Sequence, residues 1–499
     1  MGLKSRAVGL GVGCWLLAFG CVEPANYQIQ VVDPCNQAAL RDAERIRVEA
    51  IDVATGERWS SSFGADSNSG SLPEIPIGAT VNFDVSLLRD GAVFAWTMAG
   101  PFTLSASADD NVELQPSRVD AITKPHVVGN AGQCASYTNS RAGGRLLTLD
   151  DGNVMHLGGY EVSDVLTFVK DIALWNARDN TLEHIGTLDF PRVDDSALQL
   201  PDGSWVLSGG RYEAVQGTTG AREEGYFTLT LHVSSDGQID AVPGQLNVGR
   251  AGHQSVLLED GRIWLLGGRG GLGSILETEI YDPVTKTSET GPSLSSGRWD
   301  MGVVSLGDDT VVLVGGEGDG GLLDTIETIR LSDSTGSVSA LRLSTARTRP
   351  YVVQHDDTFW VLGGGTVAGT DMNRGRGSIS IDGFRRGGNG FEALCADTAI
   401  ALSEGRFLSS VLVDGDSIYM AGGYDADGVL LKSVNLLNVS SLESCEPNIG
   451  ETVAELGEAR AYMAGALLES GLMMFGGGQS RINGDNASSA LVELYRRAR

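Results

Sequence analysis

An arginine followed sixteen or seventeen residues later by two glycines occurs seven times in this chain, opening at Arg141, Arg192, Arg250, Arg298, Arg347, Arg406 and Arg460. The glycine pairs read as Gly158-Gly159, Gly209-Gly210, Gly267-Gly268, Gly315-Gly316, Gly363-Gly364, Gly422-Gly423 and Gly476-Gly477, with first glycines 48 to 59 residues apart. Recurrence at this interval restricts the fold to copies of one unit packed against each other. The third copy, Arg250 to Gly268, shows what the unit is. Val256 to Leu258 and Ile263 to Leu266 are apolar, Glu259-Asp260-Gly261 is turn chemistry, and the two segments form a hairpin that ends at the glycines.

A loop of variable length follows each pair, and then another alternating stretch, such as LETEIYDP from Leu276 or DTIETIRLS from Asp324. A fourth short segment precedes the next arginine. Four strands make one propeller blade, and the order of arginine, turn and double glycine resembles the kelch family over residues 141–499. The aromatic that the family places after the third strand is present at Trp175, Tyr281 and Tyr495. The resemblance implies an all-β fold, a seven-bladed kelch-type β-propeller, closed in a circle because one blade alone leaves edges and an apolar face uncovered. The last copy stops at Arg499 after a third strand, so the expected fourth strand lies upstream, within residues 119–137. That makes 119–140 a linker and closing strand.

Residues 21–118 lack the repeat. Tyr27 to Val32, Arg45 to Val53, Ala79 to Leu88 and Gly91 to Met98 alternate apolar and polar residues, as half-buried strands do. A small antiparallel β-sandwich is expected there, and IPIGATVNFDVSLL resembles the Ig-like or carboxypeptidase-regulatory-like modules of surface lipoproteins. Ahead of it, Lys4 and Arg6 precede an apolar run from Ala7 to Phe19, the order of a signal peptide over residues 1–20. The run ends Leu17-Ala18-Phe19-Gly20-Cys21, which resembles the lipobox of bacterial lipoproteins, although Ala18 stands where leucine is usual. The resemblance implies lipid on Cys21 and a firm membrane anchor; Val22 after it, in place of Asp, points to the outer membrane. Cleavage and plain secretion is the other reading.

With Cys14 in the leader and Cys21 lipidated, Cys35, Cys134, Cys395 and Cys445 remain, an even set that suits two disulfides in an exported chain. Cys395 with Cys445 and Cys35 with Cys134 is the favoured pairing, and Cys134 with Cys445 competes. The formal charge of −28 argues against nucleic acid as a partner. Histidines 126, 156, 184, 232, 253 and 355 show no metal-ligand spacing, and no GxSxG, HExxH or P-loop occurs. The Cys–Tyr pair and two histidines of galactose-oxidase-like copper enzymes cannot be assigned. No metal, cofactor or catalytic residue is therefore expected. Asp425-Ala426-Asp427-Gly428 and Glu317-Gly318-Asp319-Gly320 read as turns, each short of the oxygen count Ca²⁺ takes.

Each repeated arginine opens an innermost strand, so the seven belong near one mouth of the channel. Two roles are open: internal hydrogen bonds to loop carbonyls, or a ring of guanidiniums that holds carboxylates or sulfates. The long loops after the glycines, carrying Arg374, Arg376 and Arg481, are the better candidates for specificity. The chain reads as an exported, membrane-anchored module that binds a protein or glycan without catalysis. A carbohydrate-active enzyme and a structural envelope spacer are the competing classes.

Overall fold

The computed structural model describes every residue except 1–23, 32–39, 68, 105–111, 115, 128–129, 163–166, 178–179, 216–221, 243–244, 369–374, 388–389, 483–484 and 498–499. Its organising unit is clearest in the third repeat. Gln254–Leu257, Ile263–Leu266, Glu277–Asp282 and Thr287–Ser293 pair antiparallel in chain order. The second strand is buried along its whole length, because sheets stack on both of its faces, and so it is continuously apolar rather than alternating. Thr310–Val314, Thr358–Leu362, Ser417–Ala421 and Leu472–Gly476 repeat that pattern. Outer strands such as Ser337–Arg342 face water.

Among the described residues seven sheets follow this plan, and a chain of buried clusters joins each to the next. Trp264 and Leu266 pack on Val311 and Leu313, Val312 and Val314 on Phe359 and Val361, and Trp360 and Leu362 on Ile418 and Met420. Tyr419 and Ala421 meet Met473 and Phe475 in the same way. Val154 and Trp175 of the first sheet share a cluster with Met474 and Leu494 of the last. Leu157 with Leu207 and Val206 with Ile263 complete the circuit. The fold is a β-propeller.

Two details differ from the pattern read in the sequence, and a third, the closing strand, falls within the expected residues 119–137. The conformational pair of the seventh repeat is Gly477-Gly478, at φ 66° and 112°, and Gly476 is the last residue of the strand Leu472–Gly476. Three consecutive glycines hide that register, and only backbone torsion separates them. The first sheet carries two additional outer strands, His126–Val127, parallel to Thr181–Thr187, and Asn130–Cys134. The outer strand of the seventh sheet is Ala121–Thr123, antiparallel to Val492–Arg496, so the two ends of the propeller segment meet in one sheet.

Ahead of the propeller, Arg58–Gly64, Arg45–Asp52, Thr80–Arg89, Ala92–Thr103 and Ser117–Arg118 form one sheet. Ser69–Pro76, Pro24–Val31 and Val112–Leu114 form another. Their apolar faces meet in one core containing Tyr27, Ile29, Ile46, Val48, Phe83 and Val85. The smaller sheet is mixed, because Val112–Leu114 runs parallel to Pro24–Val31. This unit rests on the propeller where the chain ends. The Arg496 guanidinium lies 4.1 Å from the Trp96 ring centroid, and Trp96 Nε1 donates to the Arg497 carbonyl at 3.4 Å. A cavity of about 480 Å³ remains between Met98 and Pro101 on one side and the hairpin turns at Asp150-Asp151 and Glu469-Ser470 on the other.

Candidate functional site at the propeller axis

The repeated arginine and the double glycine turn out to be two halves of one joint. In the third repeat Arg250 Nη1 donates to the carbonyl of Gly267 at 2.7 Å, tying the first strand to the end of the second. The next residue, Gly268, donates its N–H to the carbonyl of Arg298 in the following sheet at 2.8 Å. The contact recurs around the ring, from Gly159 to Arg192 through Gly423 to Arg460, and Gly478 closes it on Arg141 at 2.7 Å. A Cβ on Gly267 would lie 2.4 Å from the Arg298 carbonyl oxygen, so no other residue fits that approach.

All seven arginines are 0–2% exposed. Arg298 pairs with Glu327 at 2.9 Å and Arg406 with Glu404 at 2.8 Å. Arg141, Arg250, Arg347 and Arg460 pair with Asp171, Glu279, Asp382 and Glu493. Arg192 places its guanidinium 5.4 Å from the Phe227 ring centroid. Their charges are engaged inside the protein, so the ligand-holding role is corrected to the internal one. Of the loop arginines, Arg376 and Arg481 are exposed, and Arg374 lies outside the described residues.

The side chains that do converge on the axis come two residues after each arginine. Gly143, Asp194, Gly252, Asp300, Arg349, Leu408 and Tyr462 all have φ between 47° and 68°. Five of them are not glycine, and left-handed backbone at such residues is uncommon and concentrates at functional positions. Arg349 is the hub. Its Nη2 lies 2.8 Å from Asp194 Oδ1 and its Nε 2.9 Å from Asp300 Oδ2, a fork between carboxylates from two other repeats. The guanidinium also sits 5.0 Å from the centroid of Tyr462, whose hydroxyl donates to Asp194. Arg211, at the base of the hairpin that pairs Arg211–Val215 with Arg222–Tyr226, approaches Asp194 Oδ2 to 2.7 Å and Glu224 to 3.2 Å. One ionic chain thus runs from a rim hairpin to the axis.

A cavity of about 280 Å³ opens beside this network, with Arg145, Asp195, His253 and Ser409 in its wall. Burial alone would push the Asp194 carboxyl up; the Arg349 and Arg211 guanidiniums outweigh it and hold the group below the usual carboxylate range. Asp300 moves the other way, raised by burial and by the Asp194 and Glu317 charges, with Arg349 only partly offsetting them. Burial keeps His253 neutral, and its Nε2 is 2.8 Å from Ser208 Oγ. None of the axial residues stood out as a candidate in the sequence. The register alone marks them, as the position two beyond each arginine.

Cys395 and Cys445 are joined as a disulfide between the outer segments of the fifth and sixth repeats. Cys134 is also disulfide-bonded, and Cys35 and Cys21 lie outside the described residues.

No family model and no curated protein matches the chain. Its fold is similar to that of a fungal alcohol oxidase of the AA5 family solved in complex with copper, with TM-score 0.53 and 14% identity over 73% of this chain and 75% of that one. YjhT matches with TM-score 0.45 and 14% identity, over 63% of this chain and 98% of its own. At this identity the first likeness concerns the fold. The axial set does not suit a copper ion, since the Arg349 guanidinium already holds the place between the two carboxylates. Among the described residues no three His, Cys, Asp or Glu are grouped to bind a metal.

Proposed function

We propose that this chain is an exported, lipid-anchored envelope protein in which a small β-sandwich carries a seven-bladed kelch-type propeller, and that the propeller binds a protein or glycan without catalysis. The observation that carries the reading is the division of labour among its cations. The repeated arginines are sequestered in the joints, while the variable hairpins and the axial network gather on one face. Loops on a rigid scaffold are where recognition residues normally stand. Export is supported by the Cys395–Cys445 disulfide, a bond that persists in oxidising compartments. Among the described residues no helix is long and apolar enough to cross a membrane; in this reading the anchor is the lipid on Cys21.

Two measurements test this. Cys21→Ser should move the protein from the membrane fraction to the soluble one; unchanged membrane retention refutes the anchor. A soluble form lacking the leader should capture a partner or glycan from envelope extracts, and Arg376→Ala with Arg481→Ala should reduce the capture at least tenfold. Equal recovery by the double variant removes the rim loops from the reading.

A second reading, a carbohydrate-active enzyme, has one observation in its favour. Asp194 and Asp300 share a cavity while their carboxyls are pushed in opposite directions, the division that acid and base roles require. Turnover of a sugar that disappears in Asp300→Asn would establish it over simple binding.

A further inference from the structure

We propose that the seam closing the ring is an acid-sensitive latch, shut while the His156 imidazole is neutral and loosened when that ring takes up a proton. The device belongs to the ring itself and holds whatever the propeller binds.

The seam has the backbone bond of the other joints, but its side-chain filling is its own. Tyr137 reaches across it. Its N–H donates to the Ala490 carbonyl at 2.9 Å, and its ring shares a cluster with Met474 and Leu494 of the last sheet and Val154 of the first. The His156 ring stands edge-on to it, with 4.7 Å between centroids. Glycines flank the histidine on both sides. A Cβ on Gly476 would collide with Tyr137 Oη and lie 3.2 Å from His156 Nδ1, and one on Gly144 would collide with His156 Nε2. Gly476 is a strand residue without the left-handed torsion of Gly477 and Gly478, so this packing accounts for the third glycine of the run.

His156 is 1% exposed and Tyr137 3%, and neither ring nitrogen nor Tyr137 Oη has a hydrogen-bond partner. Buried polar atoms in that condition are uncommon and call for an explanation. The four other histidines whose side chains are described each have a partner: His184 has Asp171, His232 has Tyr281, His253 has Ser208 and His355 has Glu443. The charged groups around Tyr137 and His156 are already committed to each other. From the first repeat, Arg141 pairs with Asp171, which also takes His184; from the last, Arg460 pairs with Glu493. An imidazolium formed here would stand in a dry seam, between glycines, beside a guanidinium.

Burial, reinforced by the Arg141 charge, accordingly holds His156 well below its ordinary value of 6.5. Once the seam opens, the ring titrates near that ordinary value, so the open form binds the proton more readily than the shut one. The shut seam is therefore fully favoured above 6.5 and loses ground as pH falls below it, by about tenfold in the opening equilibrium per pH unit.

Amide hydrogen exchange on the full chain tests this at pH values one unit above and one unit below 6.5, corrected for the intrinsic pH dependence of exchange. Protection of Val154–Leu157 and Val492–Arg496, on the two sides of the seam, should fall about tenfold relative to Thr310–Val314 across the ring. His156→Gln and His156→Leu, which cannot take up a proton, should remove that difference, and His253→Gln should keep it. Equal changes at the seam and across the ring in the wild type overturn the proposal. So does an undiminished response in a folded His156 variant, or its loss in His253→Gln. Should neither His156 variant fold, the wild-type comparison decides.

Discussion

Arg298 and Glu327 are both fully shielded from water and paired at 2.9 Å. A buried pair contributes little beyond its own desolvation cost, but removing one member strands the other. Arg298→Met should therefore destabilise the protein by about 3–5 kcal/mol, and Arg298→Met combined with Glu327→Leu should recover much of that loss, as read by denaturant melts. Recovery by the double variant would show that the residues are held for register more than for strength. Gly267 makes a different demand, because a side chain there meets the next sheet's carbonyl. Gly267→Ala should cost more than about 2 kcal/mol, where Gly271→Ala, with open space around it and no left-handed backbone, should cost less than half as much.

The axial carboxylates add a pH dependence at the same scale. Asp194 is held below its ordinary value of 3.8, so it binds fewer protons folded than unfolded, and its contribution is present above that value and lost as pH falls below it. The melting-temperature gap between wild type and Asp194→Asn should be widest near neutral pH and shrink below about pH 3.8. A gap that grows on acidification would contradict the ionic hub. Residues of this kind were the least legible in the sequence. Asp194, Asp300, Arg349 and Tyr462 lie up to 268 positions apart, and nothing but the geometry of a ring brings them together. The arginines and glycines were visible because every joint repeats them.

Among elements, the joint between the fifth and sixth repeats is reinforced covalently. The Cys395–Cys445 disulfide spans a separation of 50 residues, and closing a loop of that length restricts the unfolded chain. Replacing both cysteines with serine should lower stability by about 2–4 kcal/mol in non-reducing melts, with no change under reducing conditions. That pairing was legible because both cysteines lie in the outer-strand segments of adjacent copies. The parallel strand Val112–Leu114 was not, since alternation reveals a strand and its faces but carries no direction. The register of the seventh glycine pair was likewise hidden in a run of three.

For the whole molecule, the all-β class and the propeller fold followed from recurrence, because a unit that cannot cover its own apolar face must meet copies of itself. What a repeat pattern omits is the departure from it, and the site is made of departures: five non-glycine residues at one backbone position where two copies keep glycine.

The joint that closes the ring, Gly478 to Arg141, has the same hydrogen bond as the six within it, 2.7 Å against 2.7–3.0 Å. The mechanics of the propeller therefore do not depend on which copy comes first. A circular permutant opened at the exposed turn Glu259-Asp260-Gly261, with the former ends joined by a linker beside the Ala121–Thr123 pairing, should fold into the same ring and melt in one cooperative step. The ring is thus held by seven seams that share one backbone bond, and continuity of the chain at any one of the hairpin turns adds nothing to them.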